Sequence, residues 1–257
     1  MCFKLFIEKK SQNKSINLQE EPFMNKIKDN ILMSDGMRKN KIIAFDEHGN
    51  KLFERENLVV QRGRVFALES IFDNFMSQEL AGEHGFKGGT NRKKIALFKI
   101  GKGGTAIGTP FTPTVVNANE TELTDPVPFR VVDPGDSSTT LSELEKDIYC
   151  CPIVDEDGKT LYFGKRFEED AGSWDIDLTI DDPTDTTTNL ISYLINFEIS
   201  DKDARNSIIN EVGIYFAEVD GDGKPIDGTE ELFSKINFSS EKLDGYSSKY
   251  FVYCVYA

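Results

Sequence analysis

Histidine is almost missing from this chain: there are two in 257 residues, His48 and His84. Each stands beside a glycine, in stretches that read as a turn and a loop. Neither is accompanied by a nucleophile at a useful spacing, so imidazole-based acid–base or acyl-transfer chemistry has no support. The signatures GxSxG and HExxH are missing too, as is any Cys–His arrangement. Cysteine is sparse, at Cys2, Cys150, Cys151 and Cys254, with no CxxC pair and no regular spacing. All four read as reduced thiols of a protein made in a cytosol, and the neighbours Cys150 and Cys151 are expected on opposite faces of a strand. No apolar run is long enough for a membrane helix. The opening Met1–Ile7 is too short for a secretory core and is followed at once by Glu8-Lys9-Lys10, which argues against a signal peptide. No membrane contact is therefore expected.

Acidic charge is plentiful and unevenly spread. The net charge is -14 overall; residues 1–104 carry 19 basic and 13 acidic side chains, residues 105–257 carry 11 and 31. This asymmetry suits contact between the basic end of one copy or partner and the acidic end of another, or simply solubility. It speaks against nucleic acid as the main ligand. With 19 Phe, 8 Tyr and 1 Trp, the chain can fill a substantial core.

Three places invite a ligand. Gly101-Lys102-Gly103-Gly104-Thr105 is not a phosphate loop, because Lys102 is followed by Gly103 rather than Ser or Thr; it reads as a flexible turn after a strand. The acidic groups Asp155/Asp157, Asp181/Asp182/Asp185 and Asp220/Asp222 do not complete a calcium-loop pattern and read as hairpin turns. An abundance of carboxylates by itself does not make a glycosidase pair, whose separation is the informative quantity. No cofactor and no metal are expected, and the chain reads as non-enzymatic.

Alternation dominates the organisation. Residues 1–37 read as an extension, and 1–40 is taken as an N-terminal arm ahead of a single domain, 41–257. Lys41–Phe45 and Lys51–Arg55 form a hairpin around Gly49. Val65, Leu68, Phe72 and Phe75 place an apolar stripe on a helix over 62–78, with Arg62 and Arg64 on its wet side. Lys94–Ile100 is a strand, followed by a low-structure stretch to Asp125. Val127–Val132 is extended, Ser142–Glu145 is a helical turn or a bulge, and Asp147–Val154, Lys159–Lys165 and Trp174–Ile180 are short strands. The clearest run closes the chain: Leu190–Ser200, Ile209–Ala217, Leu232–Phe238 and Lys249–Tyr256 are four strands. The expected fold is mainly β, an antiparallel β-sandwich with one packed α-helix and an N-terminal extension.

Three stretches, in order, resemble tailed-bacteriophage virion proteins of the tail, baseplate and fibre-attachment type. They are Ile95–Gly108 with its Thr/Pro-rich continuation to Phe129-Arg130-Val131-Val132, then Ile208–Tyr215, then Leu232–Phe238. The Asn210-Glu211-Val212-Gly213 step is the most characteristic. The resemblance covers about 41–257; the segment 137–189 has no counterpart in it and is treated as an insertion. It implies a structural subunit located in the virion and assembled in the host cytoplasm, a homo- or hetero-oligomer docking other virion proteins. The candidate interface residues are Asn210, Glu211, Gly213, Lys102, Arg62 and Arg64. A neck, collar or capsid-decoration protein is the alternative within that class. A carbohydrate-binding module is the alternative outside it, with Trp174, Tyr162 and Tyr246 as its candidate aromatics. Gly213 inside a strand is expected at a bulge or a close approach.

Overall fold

The computed structural model describes residues 40–67, 92–106, 108–167, 172–177, 190–204, 207–242 and 248–256. Residues 1–39 of the expected arm, His84, Asp181, Asp182, Asp185, Tyr246 and residues 68–78 of the expected helix lie outside this set, as does the side chain of Trp174.

The fold is mainly β and antiparallel. A five-stranded sheet runs β11 (Gly172–Asp177), β12 (Leu190–Ile199), β15 (Lys249–Tyr256), β1 (Lys41–Phe45), β2 (Lys51–Glu56). An eight-stranded sheet has the order β3 (Leu58–Val59), β14 (Glu231–Lys242), β13 (Ile208–Val219), β4 (Arg92–Gly101), β10 (Thr160–Arg166), β8 (Arg130–Val132). In that sheet β7 (Pro126–Val127) joins β4, and β9 (Tyr149–Val154) joins β10. The four closing strands are thus shared out, β12 and β15 to one sheet, β13 and β14 to the other. The segment 137–189 is woven into both, since β10 lies between β4 and β8 while β11 pairs with β12.

Alternation explains the sandwich. Ile195, Phe197 and Ile199 of β12 are buried, with Asn196 and Glu198 less so between them. They meet Phe98, Val212, Ile214, Ile236 and Phe238 of the larger sheet in one core cluster. Phenylalanines bridge the sheets: Phe98 and Phe197 lie 4.5 Å apart between ring centres, Phe53 and Phe238 4.6 Å. A second cluster, with Leu97, Tyr215, Ala217 and Leu232, occupies the opposite face of the larger sheet. β13 is therefore buried on both faces, one under each cluster.

Several local expectations are met and several are corrected. The turns Asp46–Asn50, Asp155–Lys159 and Asp220–Lys224 share one construction. The first Asp accepts, through Oδ1, the N–H groups two and four residues on, and Gly49, Gly158 or Gly223 takes positive φ. Asp155 and Asp220 are thus hairpin-turn residues.

The helix, α1, is described over residues 61–67. Its inner face is not the expected one: Val65 is 42% exposed while Phe66 is buried and stacks on Phe216 at 4.2 Å. The reason is Gly63, one turn earlier, where a Cβ would fall 2.1 Å from the Phe233 carbonyl oxygen; the bare backbone lets that face press onto β14.

Asp147 and Ile148 belong to a helix, α2 (Glu143–Ile148), rather than to the following strand. Ser142 and Glu145 form a reciprocal capping box that starts it. These hydrogen bonds from Ser142 hold the Glu145 carboxyl at about 2, against burial and with help from Arg130.

Cys150 and Cys151 do not alternate. Cys151 has φ 57, and both Sγ atoms come to the same glycine, Gly164, each 2.8 Å from where a Cβ would stand. They are free and buried.

Candidate functional site

The stretch after β4 is not loose. It holds a small two-stranded sheet, β5 (Thr105–Ala106) with β6 (Thr109–Pro113). Its continuation lies over the outer face of the larger sheet, burying Leu123 in the second core cluster. What holds it there is polar.

Cross-strand register sets the arrangement. Gly101, Glu211 and Asn237 face one another across β4, β13 and β14, and Lys99, Gly213 and Lys235 do so in the next such row. The β13–β14 register shifts between Ile209 and Glu211, and Asn210 and Glu211 both reach the overlying loop.

Glu211 is fully buried, and its carboxylate is saturated. Oε1 accepts from Gly103 N–H (3.0 Å) and Asp125 N–H (2.9 Å); Oε2 accepts from Thr124 N–H (3.1 Å) and pairs with Lys235 Nζ (2.9 Å). Lys235, buried likewise, spends its other protons on Glu120 Oε2 (2.6 Å) and Thr124 Oγ1 (3.0 Å). Asn210 Oδ1 accepts from Gly104 N–H (2.7 Å), and its amide donates to Thr105 Oγ1 (2.9 Å). Asn237 Nδ2 donates to Thr114 Oγ1 (2.9 Å). Tyr215 donates to Glu122 Oε2 (3.0 Å). A buried ion pair is tolerable only when its remaining hydrogen-bonding capacity is met, and here it is.

The glycines of this turn serve closeness rather than flexibility. A Cβ on Gly104 would stand 2.2 Å from the Asn210 carbonyl oxygen, and one on Gly101 would stand 2.3 Å from Glu211 Oε1. Gly213 also marks a close approach, made by side chains: a Cβ there would meet Tyr215, Leu123 and Leu232 at 2.8–3.0 Å.

Burial alone would raise the Glu211 carboxyl. The Asp125 N–H, Lys235 and the Thr124 N–H outweigh it and hold the group below its ordinary 4.5. A carboxyl depressed in the folded state stabilises the fold fully above its unfolded value, and that contribution fades as pH falls through the folded one. Stability against urea is therefore expected to begin dropping below about pH 4.5, as for any Glu of ordinary unfolded value. A Glu211→Gln variant, less stable at neutral pH, will show a shallower acid limb in urea titrations at stepped pH. Parallel limbs for the two proteins would contradict this assignment.

A second buried carboxylate, Asp203, escaped the sequence reading. It accepts from Tyr149 Oη (2.5 Å), Lys165 Nζ (2.8 Å) and Ser200 N–H (2.9 Å). It ties the end of β12 to β9 and β10. The signal available was an Asp within the turn that follows an alternating strand, which is too common to single out.

The six candidate interface residues divide accordingly. Asn210, Glu211 and Gly213 are buried within the chain and organise the loop. Lys102 is exposed, pairs with Asp125 at 3.7 Å, and lines an open concavity of about 660 Å³ together with Gly103, Thr105, Thr114 and Thr124. Arg62 and Arg64 stand exposed on α1; Arg62 pairs with Glu231, and Arg64 donates to the Val59 carbonyl (3.1 Å). The concavity displays hydroxyls, backbone and one ion pair. Among the described residues no group of three His, Cys, Asp or Glu is placed to hold a metal, and no helix is long and apolar enough to cross a membrane.

The fold and this centre define a β-sandwich whose connection from β4 to β7 is clamped to it by a buried ion pair. Comparison with known family models, with curated proteins and with solved structures gives no match in any of the three.

Proposed function

We propose that this chain is a non-enzymatic structural subunit of a tailed-phage particle, docking neighbouring tail, baseplate or fibre proteins through several contacts at once. One observation carries the reading. The three stretches on which the resemblance rests, at Gly101–Gly104, Asn210–Gly213 and Lys235–Asn237, converge in space around the Glu211 carboxylate. A short ordered set of residues that looks coincidental in sequence therefore corresponds to one physical device, a rigid loop mount. A preorganised loop gives up little conformational entropy on docking, which suits a building block. The carbohydrate-binding alternative loses one of its aromatics, since Tyr162 packs against the core.

The test is direct. Particles released from a host carrying this coding sequence are purified on a density gradient and quantified by mass spectrometry, with an antibody against the chain applied for electron microscopy. The chain is expected in the particle fraction at a constant copy number, with label on the tail. A chain found wholly in the soluble fraction overturns the proposal.

A further inference from the structure

The β9–β10 hairpin exposes an apolar row. β10 pairs with β8 on one side and β9 on the other, and the register aligns Val131, Leu161 and Ile153 across the three strands. Residues directly opposite in a ladder share a face. Val131 is 40% exposed and Ile153 58%. The hairpin ends in the turn Asp155–Lys159, where Asp155 is committed to the turn while Glu156 and Asp157 face solvent.

The geometry limits what can dock here. At the start of β9 the Cys151 N–H is already held by Asp227 Oδ1 at 2.7 Å, which hinders pairing of another strand there. The row itself offers side chains for contact. The apolar row ends beside the solvent-facing Glu156 and Asp157, so its complement is both apolar and basic.

A segment of this chain with that chemistry is Phe3-Lys4-Leu5-Phe6-Ile7-Glu8-Lys9-Lys10, with four apolar residues and three lysines against one glutamate. We propose that residues 3–10 of one copy dock on the Val131–Leu161–Ile153 face of a second copy, with Lys9 and Lys10 toward Glu156 and Asp157. The choice of a second copy rests on the assembly reading above. The chain between Lys10 and Lys41 reaches up to about 100 Å when extended, so span does not limit the contact. Such head-to-tail contact is heterologous and can propagate or close into a ring.

Sedimentation velocity on the full chain tests this. The sedimentation coefficient is expected to rise with concentration, and more weakly at raised salt. Ile153→Asp and Phe6→Asp should each shift the association midpoint by about tenfold or more, with circular dichroism and melting unchanged. Lys9→Glu with Lys10→Glu should weaken association, and combining them with Glu156→Lys and Asp157→Lys should restore it. A full chain that stays monomeric, or variants that associate like the parent, would overturn the contact. A monomer that is still found in purified particles sinks this contact alone; association without any particle-bound chain sinks the particle reading alone.

Discussion

Replacing Glu211 by alanine is expected to lower the free energy of unfolding by about 3–5 kcal/mol, the cost of leaving one member of a buried pair alone. The substitution strands the buried Lys235 ammonium and removes the acceptor for three backbone N–H groups, at Gly103, Thr124 and Asp125. The damage should be local as well as global. Amide exchange across 102–125 is expected to accelerate before that of β13 or β4, because the loop loses its mount while the ladders persist. Lys235→Met should also destabilise, by leaving Glu211 buried with one charge partner fewer. The double variant Glu211→Gln/Lys235→Met should lose less than the sum of its singles, since the two act as one unit. Urea titration of the four proteins measures the coupling, and strict additivity would mean that the pair does not work as a clamp.

Phe98→Ala is expected to cost about 3–5 kcal/mol as well, by a different route. Phe98 is almost fully buried at the centre of the aromatic seam, with Phe129, Phe167 and Phe197 at 5.3, 5.5 and 4.5 Å between ring centres. Its loss leaves a cavity between two sheets that are each held by their own ladders, so little collapse can fill it. The effect should appear as a lower urea midpoint with an unchanged slope, and without selective exchange in the loop. Phe98→Leu, which restores most of the volume, should recover a large share. The two substitutions thus separate packing between the sheets from clamping outside them.

Much of this was legible because it is local. An Asp followed three residues later by Gly forms the same turn at Asp46 and Asp155, wherever alternating residues flank it. The strand Lys249–Tyr256 follows from its continuous aromatic and β-branched run, and the buried side of β12 from period-two patterning. The clamp was hidden because its parts lie far apart in the chain, at Glu120–Asp125, Glu211 and Lys235. A trace was there to be used: Phe98-Lys99-Ile100, Glu211-Val212 and Ser234-Lys235-Ile236 each set a charge beside an apolar residue within a strand. In a strand buried on both faces such a charge must find a partner. The start of α2 at Ser142 was equally readable, as Ser followed three residues later by Glu. The common side of Cys150 and Cys151 was not, since it turns on one backbone angle that the neighbouring fold imposes.

The position of β15 also bears on how the chain is made. This strand lies between β1 and β12, with Lys41 opposite Cys254 and Phe197 opposite Phe251. The five-stranded sheet therefore has an open slot until β15 joins it, and its assembly has high contact order. A nascent or truncated product lacking β15 presents two unpaired edges, one from β1 and one from β12, which is the form most prone to aggregate or to be degraded.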